Sequence, residues 1–578
     1  MKRSTDMLRR AALAALLTLA LSTAARAQIS IVGEWTGRYH EDNTDRIPGD
    51  VQGDFTGVPM NAAARRYAES YDVRRVNLLE HQCEPYSLPH IYRGPLQFRV
   101  WEEKDPATQE VIAYHEYIGT YMQYRTIWMD GRAHPPDYAP HTFMGFSTGE
   151  WRGDVLTVRT THIKKEFYRR SGAPSSDWTT VVEHYIRHGN LLSHVMIITD
   201  PVYLNEPFVN SQEFVLMERG NQNWLYNCEY VMEVLLSGGV PNFLEGQNPF
   251  IEDFAKKFGL PLAAIWGGAE TTYPEFMTKF AAGVAPTLVN EVAPAIPRNT
   301  TPEIRDTIEA IHVQGAVYML AGAGANVAVQ IGDDGVLVVD TGAAVARERL
   351  IDAIRKLSSK PIRWIINTNA DPDHTGGNET ISQAGETVNG NPAAIIAHEG
   401  ALARMTAMNR PITERPLNTF FEPERDFYFN GEAIRLYHFP GHTAGDAIVY
   451  FRGSDVLVSG DLFLTTTFPA IDVEDGAGID GLIDGLNKML DIAVPKYLQE
   501  GGTYVIPGHG RVCDEADLVE YRDMVVIIRD RIRDMVDRGL TLDQVKAARP
   551  SLDYDGRYGA ESGAKFVESV FRILSRKK

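Results

Sequence analysis

Asn367-Thr368-Asn369-Ala370-Asp371-Pro372-Asp373-His374-Thr375-Gly376-Gly377-Asn378 begins where an apolar run stops. Upstream, Lys360 to Thr368 carries Ile362, Trp364, Ile365 and Ile366, the β-branched and aromatic bulk of a buried strand. If the backbone stays extended past Thr368, then Asn369, Asp371 and Asp373 share one direction while His374 points elsewhere. The Gly376-Gly377 pair permits a tight turn into a helix over Asn378 to Gln383, which folds His374 back toward the acidic residues.

Three more segments end the same way. Ile434 to Phe439 reads as a strand that stops at Pro440-Gly441-His442-Thr443-Ala444-Gly445-Asp446, with a further strand over Ala447 to Phe451. Asp455 to Ser459 halts at Gly460-Asp461, and Thr503 to Ile506 at Pro507-Gly508-His509-Gly510. Four strands thus end in an imidazole or a carboxylate. A divalent ion that activates water needs such groups converging from several loops, with one coordination position left open.

In order and residue type these pieces resemble the metallo-β-lactamase superfamily, whose signature is His-x-His-x-Asp-His followed by a His, a bridging Asp and a last His. The resemblance implies an αββα sandwich and a hydrolase holding one or two divalent ions, zinc first, with iron or manganese as alternatives. By position it implies metal ligation by Asp373, His374, Asp461 and His509 at one site. At the other it implies His442 and the shared Asp461, with Asn369 and Asp371 where two His are expected. Asp371 is expected to serve as a ligand, because a carboxylate can replace imidazole and the flavodiiron branch carries an acidic residue there. Asn369 is a weaker donor, expected as a first-site or substrate contact; a one-zinc subclass of β-lactamases also has Asn at that place. Six ligands rich in oxygen make iron or manganese credible. Asp340, in Val338-Val339-Asp340-Thr341-Gly342, resembles the early strand-and-turn element whose Asp supports the metal loop.

The resemblance further implies that the ion lowers the pKa of bound water toward roughly 7, so that hydroxide attacks a carbonyl or phosphoryl centre. Asp373 is the expected catalytic residue, orienting that water and taking its proton. Ester, lactone, lactam and related bonds all fall within the superfamily, and fold alone does not choose among them. Phe463 to Ile471 are expected to wall the pocket. Two other classes stay open: a non-haem iron redox protein, suggested by Asp371, and a binding protein whose altered metal site is only scaffold. His312, His398 and His438 lie near strands of the same region and read better as hydrogen-bonded core or rim residues.

The remainder of the chain sets the context. Lys2, Arg3, Arg9 and Arg10, then Ala11 to Leu21, then Ala25-Arg26-Ala27, have the form of a signal peptide over 1–27. Export to a periplasm is expected, with no membrane span elsewhere. The chain has 578 residues, 44% of them hydrophobic, enough for several cored domains. A net charge of −19 and no basic stripe argue against nucleic acid and leave a small-molecule substrate as the expected partner. Oligomeric state is not readable.

Of Cys83, Cys228 and Cys513, the first two could bridge in an oxidising compartment, and Cys513 reads as a small buried residue. From 28 to 235, short alternating runs predict an antiparallel β barrel or sandwich as an accessory domain: Leu96 to Trp101, Val111 to Ile118, Tyr124 to Met129, Val155 to Thr161, Thr179 to Ile186, Leu191 to Ile198 and Glu213 to Glu218. Trp128 to Arg132 and Gly145 to Trp151 resemble an uncharacterised exported bacterial domain. The loop with His134, Pro135, Pro136, Tyr138, Pro140 and His141 reads as Pro-stiffened, a pocket wall being the alternative. His184 and His188 have the spacing of a helical metal pair, within a segment that reads as strand. A partly helical connector is expected over 236–311, with helices Ile251 to Phe258, Tyr273 to Ala282 and Thr301 to Ile311. The hydrolase-like domain follows over 312–535, opening with strands Ala316 to Leu320, Val327 to Ile331 and Val336 to Asp340. A helical tail covers 536–578, with Pro550 to Gly563 as a loop. The fold class is α+β multidomain.

Overall fold

Alternation in the N-terminal half closes a sheet on itself. In the computed structural model, which describes residues 30–38, 52–55, 57–92, 97–217, 228, 239–266, 303–496 and 500–576, nine strands form a barrel. Their order is Gly33–Arg38, Phe208–Leu216, Leu191–Thr199, Thr180–His188, Val155–Thr161, Phe146–Arg152, Gln123–Trp128, Val111–Ile118 and Gln97–Lys104, which pairs back onto Gly33–Arg38. Closure leaves no sheet edge to cover. Inward positions alternate, so Val181, Tyr185, Leu192, Met196 and Ile198 fill the interior. Among them sits a fully buried polar network in which Arg125 Nη1 donates to Glu183 Oε1 at 2.9 Å and to Glu116 Oε2 at 3.3 Å. The expected signal peptide and the helix expected over Tyr273 to Ala282 lie outside the described residues.

One barrel pair, Gln123–Trp128 with Phe146–Arg152, is parallel. Parallel neighbours cannot be joined by a tight hairpin, and residues 129–145, the Pro-rich loop, supply the longer connection. His134 is held there against Thr161 Oγ1 (2.6 Å) and Thr148 Oγ1 (2.9 Å), and His141 against the Ile163 carbonyl at 3.2 Å. Tyr138 leaves the barrel and is buried in the core of the C-terminal half, where its carbonyl accepts from Val512 N–H at 3.1 Å. His184 and His188 lie on Thr180–His188, and four residues of strand separate them by about 13 Å, too far to chelate. Cys83 and Cys228 form a disulfide with Cα atoms 5.4 Å apart, and Cys513 is free and buried.

The C-terminal half stacks two sheets. The first has seven strands in the order Ile304–Gln314, Val317–Ala323, Val327–Gly332, Gly335–Val339, Ile362–Ile366, Ala394–His398 and Asn418–Phe420. The second has five: Glu424–Phe429, Glu432–His438, Ala447–Phe451, Val456–Val458 and Tyr504–Ile506. Met319, Leu337, Val339 and Ile366 of the first face Ile434, Leu436, Val449 and Ile506 of the second. Leu350, Ile354 and Ile381 of helices Arg347–Leu357 and Asn378–Ala384 cover the outer face of the first sheet. Leu482, Leu486, Met524 and Ile528 of helices Ile479–Ile492 and Glu515–Asp537 cover the second. Helix, sheet, sheet and helix layers result.

Two expectations are corrected. Thr301 to Ile311 was expected to be a helix of the connector, yet Ile304–Gln314 is an edge strand. Its register shifts along the pairing with Val317–Ala323, and its two faces are both used: Ile308 packs toward the helix layer, Ile311 and Val313 toward the inter-sheet core. The segment thus extends the first sheet in place of the expected helix. Pro550 to Gly563 is not a loop throughout, because Leu552–Tyr558 is helical. Asp553 is anchored there by Arg531 at 2.7 and 2.8 Å, and Gly559, at φ +95°, ends the turn. No helix among the described residues is long and apolar enough to cross a membrane.

Candidate metal centre

The strand ends bring the acidic and imidazole groups to one place. Ile362–Ile366 leads into Asp371 and the short helix Pro372–Thr375, which carries Asp373 and His374. Glu432–His438 leads to His442, Val456–Val458 to Asp461, and Tyr504–Ile506 to His509. Small residues let these loops close: a Cβ on Gly508 would collide with Asp461 Oδ1, and one on Gly377 with the Thr341 carbonyl. The glycines beside the turns of His374 and His509 are therefore steric requirements of the centre.

Two trios of donor atoms form, each with its members within 4.8 Å of one another: Asp373, His374 and His509 in one, Asp371, His442 and Asp461 in the other. Asp461 joins them. Its Oδ1 lies 3.1 Å from His374 Nε2 and 3.7 Å from His509 Nε2, and its Oδ2 lies 3.4 Å from His442 Nε2. Asp373 Oδ2 stands 3.2 Å from His509 Nε2, and Asp371 Oδ2 stands 3.0 Å from His442 Nε2.

Each imidazole turns Nε2 inward and is held from behind through Nδ1. For His374 the partner is Asp340 Oδ2 at 2.8 Å, and for His442 the Ala470 carbonyl at 2.8 Å. For His509 it is Glu303 Oε1, at ion-pair distance (3.2 Å) but off the line of a hydrogen bond. An acceptor on Nδ1 fixes the tautomer that leaves an Nε2 lone pair for an ion, as metal-bound histidines require. The donor set fits a divalent ion at each trio, oxygen-rich and bridged by a carboxylate.

Asn369 stands differently. Its Oδ1 accepts Asp371 N–H at 2.9 Å and its Nδ2 donates to Asp461 Oδ2 at 3.4 Å. The reversed amide would oppose donor to donor and acceptor to acceptor, so the side chain ties the Asp371 backbone to the Asp461 carboxylate.

The charges pull on one another. Burial works against the charged form of His374, but Asp461 and Asp340 outweigh it and hold its pKa well above the ordinary value. His442 and His509 are pushed up to about 10, burial being overcome by Asp371 and Asp461 for the first and by Asp373, Glu303 and Asp461 for the second. Burial raises Asp461, Asp371 and Asp373, yet the imidazoles keep all three below the usual carboxylate range. The pocket is built to attract positive charge.

Several contacts escape sequence reading. Asp446 accepts N–H from Gly441, His442 and Thr443 (3.1, 2.6 and 2.8 Å) and so shapes the His442 loop; a buried Asp four residues after a Pro-Gly-His is a signal that spacing offered. Arg404 reaches Asp371 Oδ1 at 3.2 Å from helix Glu399–Ala407, and nothing in the sequence marks it. Phe463, Leu464, Phe468 and Ile471, expected to wall the pocket, are buried in the core beside helix Glu515–Asp537. His398 and His438 stack on each other with centroids 3.5 Å apart, and His312 bonds the Gly315 carbonyl at 3.0 Å, away from the ligands. A cavity of about 40 Å³ lined by Lys164, Asp177, Thr465, Arg511 and Tyr558 backs onto the His509 loop and has room for only a few waters.

Parts of the chain are similar to known proteins. A linear primary-alkylsulfatase of Pseudomonas sp. (strain ATCC 19151) is 24% identical over 257 residues, 37% of this chain and 47% of that protein. A probable metallo-hydrolase of Streptococcus pyogenes serotype M6 is 23% identical over 207 residues, 33% of this chain and 83% of that protein. The chain thus spans about half the length of the alkylsulfatase it matches. Among solved structures, the stereoselective inverting sec-alkylsulfatase Pisa1 from Pseudomonas sp. aligns at TM-score 0.37 with 17% identity, covering 46% of this chain and 50% of the other. A metallo-β-lactamase from Pontibacter korlensis aligns at TM-score 0.31 with 19% identity, covering 38% of this chain and 99% of the other. The family model described as the metallo-beta-lactamase superfamily matches residues 321–509, the stretch that holds all six of these ligand candidates, and this part of the chain belongs to that superfamily.

Proposed function

We propose that the chain is an exported metal-dependent hydrolase: a β-rich accessory domain to about residue 235, then a hydrolase domain that takes in the strand Ile304–Gln314 and is flanked by the C-terminal helices. One observation carries the reading. Asp461 offers one carboxylate oxygen to each of two donor trios, and His374 in one and His442 in the other are oriented by an acceptor at Nδ1. Ions there, zinc or, given as many carboxylates as imidazoles, manganese or iron, would acidify water and polarise the oxygen of the scissile bond.

The chain's own residues supply the rest. Asp373 is the most exposed of the six, its side chain 40% accessible, against 21% for Asp371 and 0% for His374. The centre therefore opens on Asp373 among the described residues, with His374 at its floor. Kept ionised by His509 and His374 against its burial, Asp373 orients the attacking water and accepts its proton. The substrate is an ester, lactone, lactam or related bond; the named activity of the alkylsulfatase relative brings sulfate esters into that range.

Elemental analysis of protein purified without added metal, followed by a panel of carboxylic, phosphoric and sulfuric esters, lactones and lactams with each reconstituted ion, tests the proposal. One or two ions per chain and turnover of at least one class are expected, with Asp373→Asn losing turnover while the metal-free melting temperature holds. No ion after reconstitution, or an undiminished Asp373→Asn, would overturn it.

A further inference from the structure

We infer that Arg404 is the counter-charge that lets Asp371 stand where its superfamily has an imidazole, and that it thereby sets how tightly the Asp371, His442 and Asp461 trio holds its ion. The inference rests on the metal reading above and adds a positioning residue to it.

Asp371 divides its two oxygens. Oδ2 turns toward His442 Nε2 at 3.0 Å, on the inner side, and Oδ1 receives the Arg404 guanidinium, with Nη2 at 3.2 Å. One oxygen inward and one anchored outward is the layout of an imidazole that points Nε2 at an ion and gives Nδ1 to a support. An imidazole is neutral; a carboxylate adds one negative charge, and the guanidinium beside it, which it shares with Asp472 and Asp475, offsets part of that charge. Aspartate and arginine together thus take the place of one imidazole.

The same guanidinium reaches the turn that supports His442, a second ligand of this trio. Arg404 Nη1 donates to Asp472 Oδ2 at 2.6 Å and lies 3.2 Å from Asp475 Oδ2. Asp472 N–H donates to the His442 carbonyl at 2.9 Å, Asp475 accepts from Ala444 N–H at 3.0 Å, and Ala470 holds His442 Nδ1. Arg404 therefore ties Asp371 to the turn that fixes His442. With both Nη atoms committed to carboxylates and the side chain 16% exposed, it is a poor candidate for gripping a substrate anion. Among the described residues the trio of Asp373, His374 and His509 has no arginine in such a place, so the effect belongs to one side of the centre.

The test compares the whole chain with Asp371→His, Arg404→Gln, Arg404→Lys and the double variant Asp371→His with Arg404→Gln. Each is stripped with chelator and titrated with Zn²⁺ and with Mn²⁺; the ratio of ion to protein is counted and the metal-free melting temperature recorded as the fold control. Asp371→His alone sets an imidazole N–H against a guanidinium, and the ion on this side should weaken roughly 10- to 100-fold. In the double variant the introduced amide oxygen can accept that N–H, and affinity should return to within a few-fold of the parent. Arg404→Gln alone should weaken the same ion about tenfold, Arg404→Lys less, and the tighter ion should not change. Single effects that merely multiply in the double variant, or a parent whose ions ignore positions 371 and 404, would overturn this inference while leaving the metal reading intact. A parent that binds no ion overturns both.

Discussion

Asp340→Asn exchanges one oxygen for an NH₂ and should disarm the most buried imidazole of the centre. The backbone tolerates the change: Asp340 sits at φ +63°, a left-handed conformation in which asparagine is as acceptable as aspartate. Its contacts do not. Oδ1 accepts Thr368 N–H at 2.8 Å, and Oδ2 accepts the Thr368 hydroxyl at 2.6 Å and lies 2.8 Å from His374 Nδ1. If the amide oxygen keeps Thr368 N–H, the new NH₂ faces His374 Nδ1, which can accept only by moving its proton to Nε2. That proton then points at Asp461 and at the ion's position, and affinity should fall roughly 10- to 100-fold, about 1.4 to 2.7 kcal/mol. If the amide turns round instead, it leaves the buried Thr368 N–H without an acceptor, and the cost of about 1 to 3 kcal/mol appears as lost stability. Zinc titration against a competing chelator, with thermal melts of the metal-free protein, separates the two. Unchanged affinity together with an unchanged melting temperature would refute the tautomer argument.

Two further predictions concern the contact between the halves. His81 lies 2.7 Å from Asp523 Oδ2 and 3.2 Å from Glu84 Oε2, and although burial lowers its pKa, these carboxylates push it up to about 10. Raised above its unfolded value of 6.5, it contributes stability that is complete below pH 6.5 and fades as pH climbs through 10, with a ceiling of about 5 kcal/mol. Urea midpoints for the parent and His81→Gln should therefore converge as pH rises from 6 to 9.5, and parallel curves would dismiss the assignment. Asp177, from the barrel half, meets Arg511 at 3.4 Å and Arg557 at 2.7 Å. Asp177→Ala strands buried guanidinium charge and should destabilise the chain by about 3 to 5 kcal/mol; a loss below about 1 kcal/mol by denaturant unfolding would count against it.

The centre was readable because its residues are chemically distinctive and sit where apolar runs stop; a strand end is visible in sequence, and Asp461 or His509 beyond it is hard to explain otherwise. Most of the barrel's strands were readable too, but not Gly33–Arg38 or Phe146–Arg152, and not the closure. Alternation is the same in a sandwich and a barrel, and what decides is the pairing of Gly33–Arg38 with both Phe208–Leu216 and Gln97–Lys104. Ile304–Gln314 was misread because what makes it a strand is its pairing with Val317–Ala323, which only the assembled sheet supplies. Arg404 and Tyr138 were invisible for a different reason. Each acts on a part of the fold far along the chain, and only assembly of the layers says that a surface-looking arginine faces Asp371 or that a loop tyrosine enters another core.

That last point bears on what joins the barrel to the hydrolase half. Lys164 pairs with Asp514, Lys165 with Glu520, His81 with Asp523, and Asp177 with Arg511 and Arg557, all at low exposure. Desolvation takes back much of what the lysine and arginine pairs gain, so these add little net stability. Their effect is selective: an apolar contact could slide by several ångströms at small cost, whereas any shift here leaves several buried charges unpaired at once. Val512, which bonds Tyr138, and Arg511, which pairs with Asp177, lie within three residues of His509. A barrel locked in one register therefore fixes the loop that carries one of the three imidazoles, and the accessory half is part of the machinery that holds the metal centre in shape.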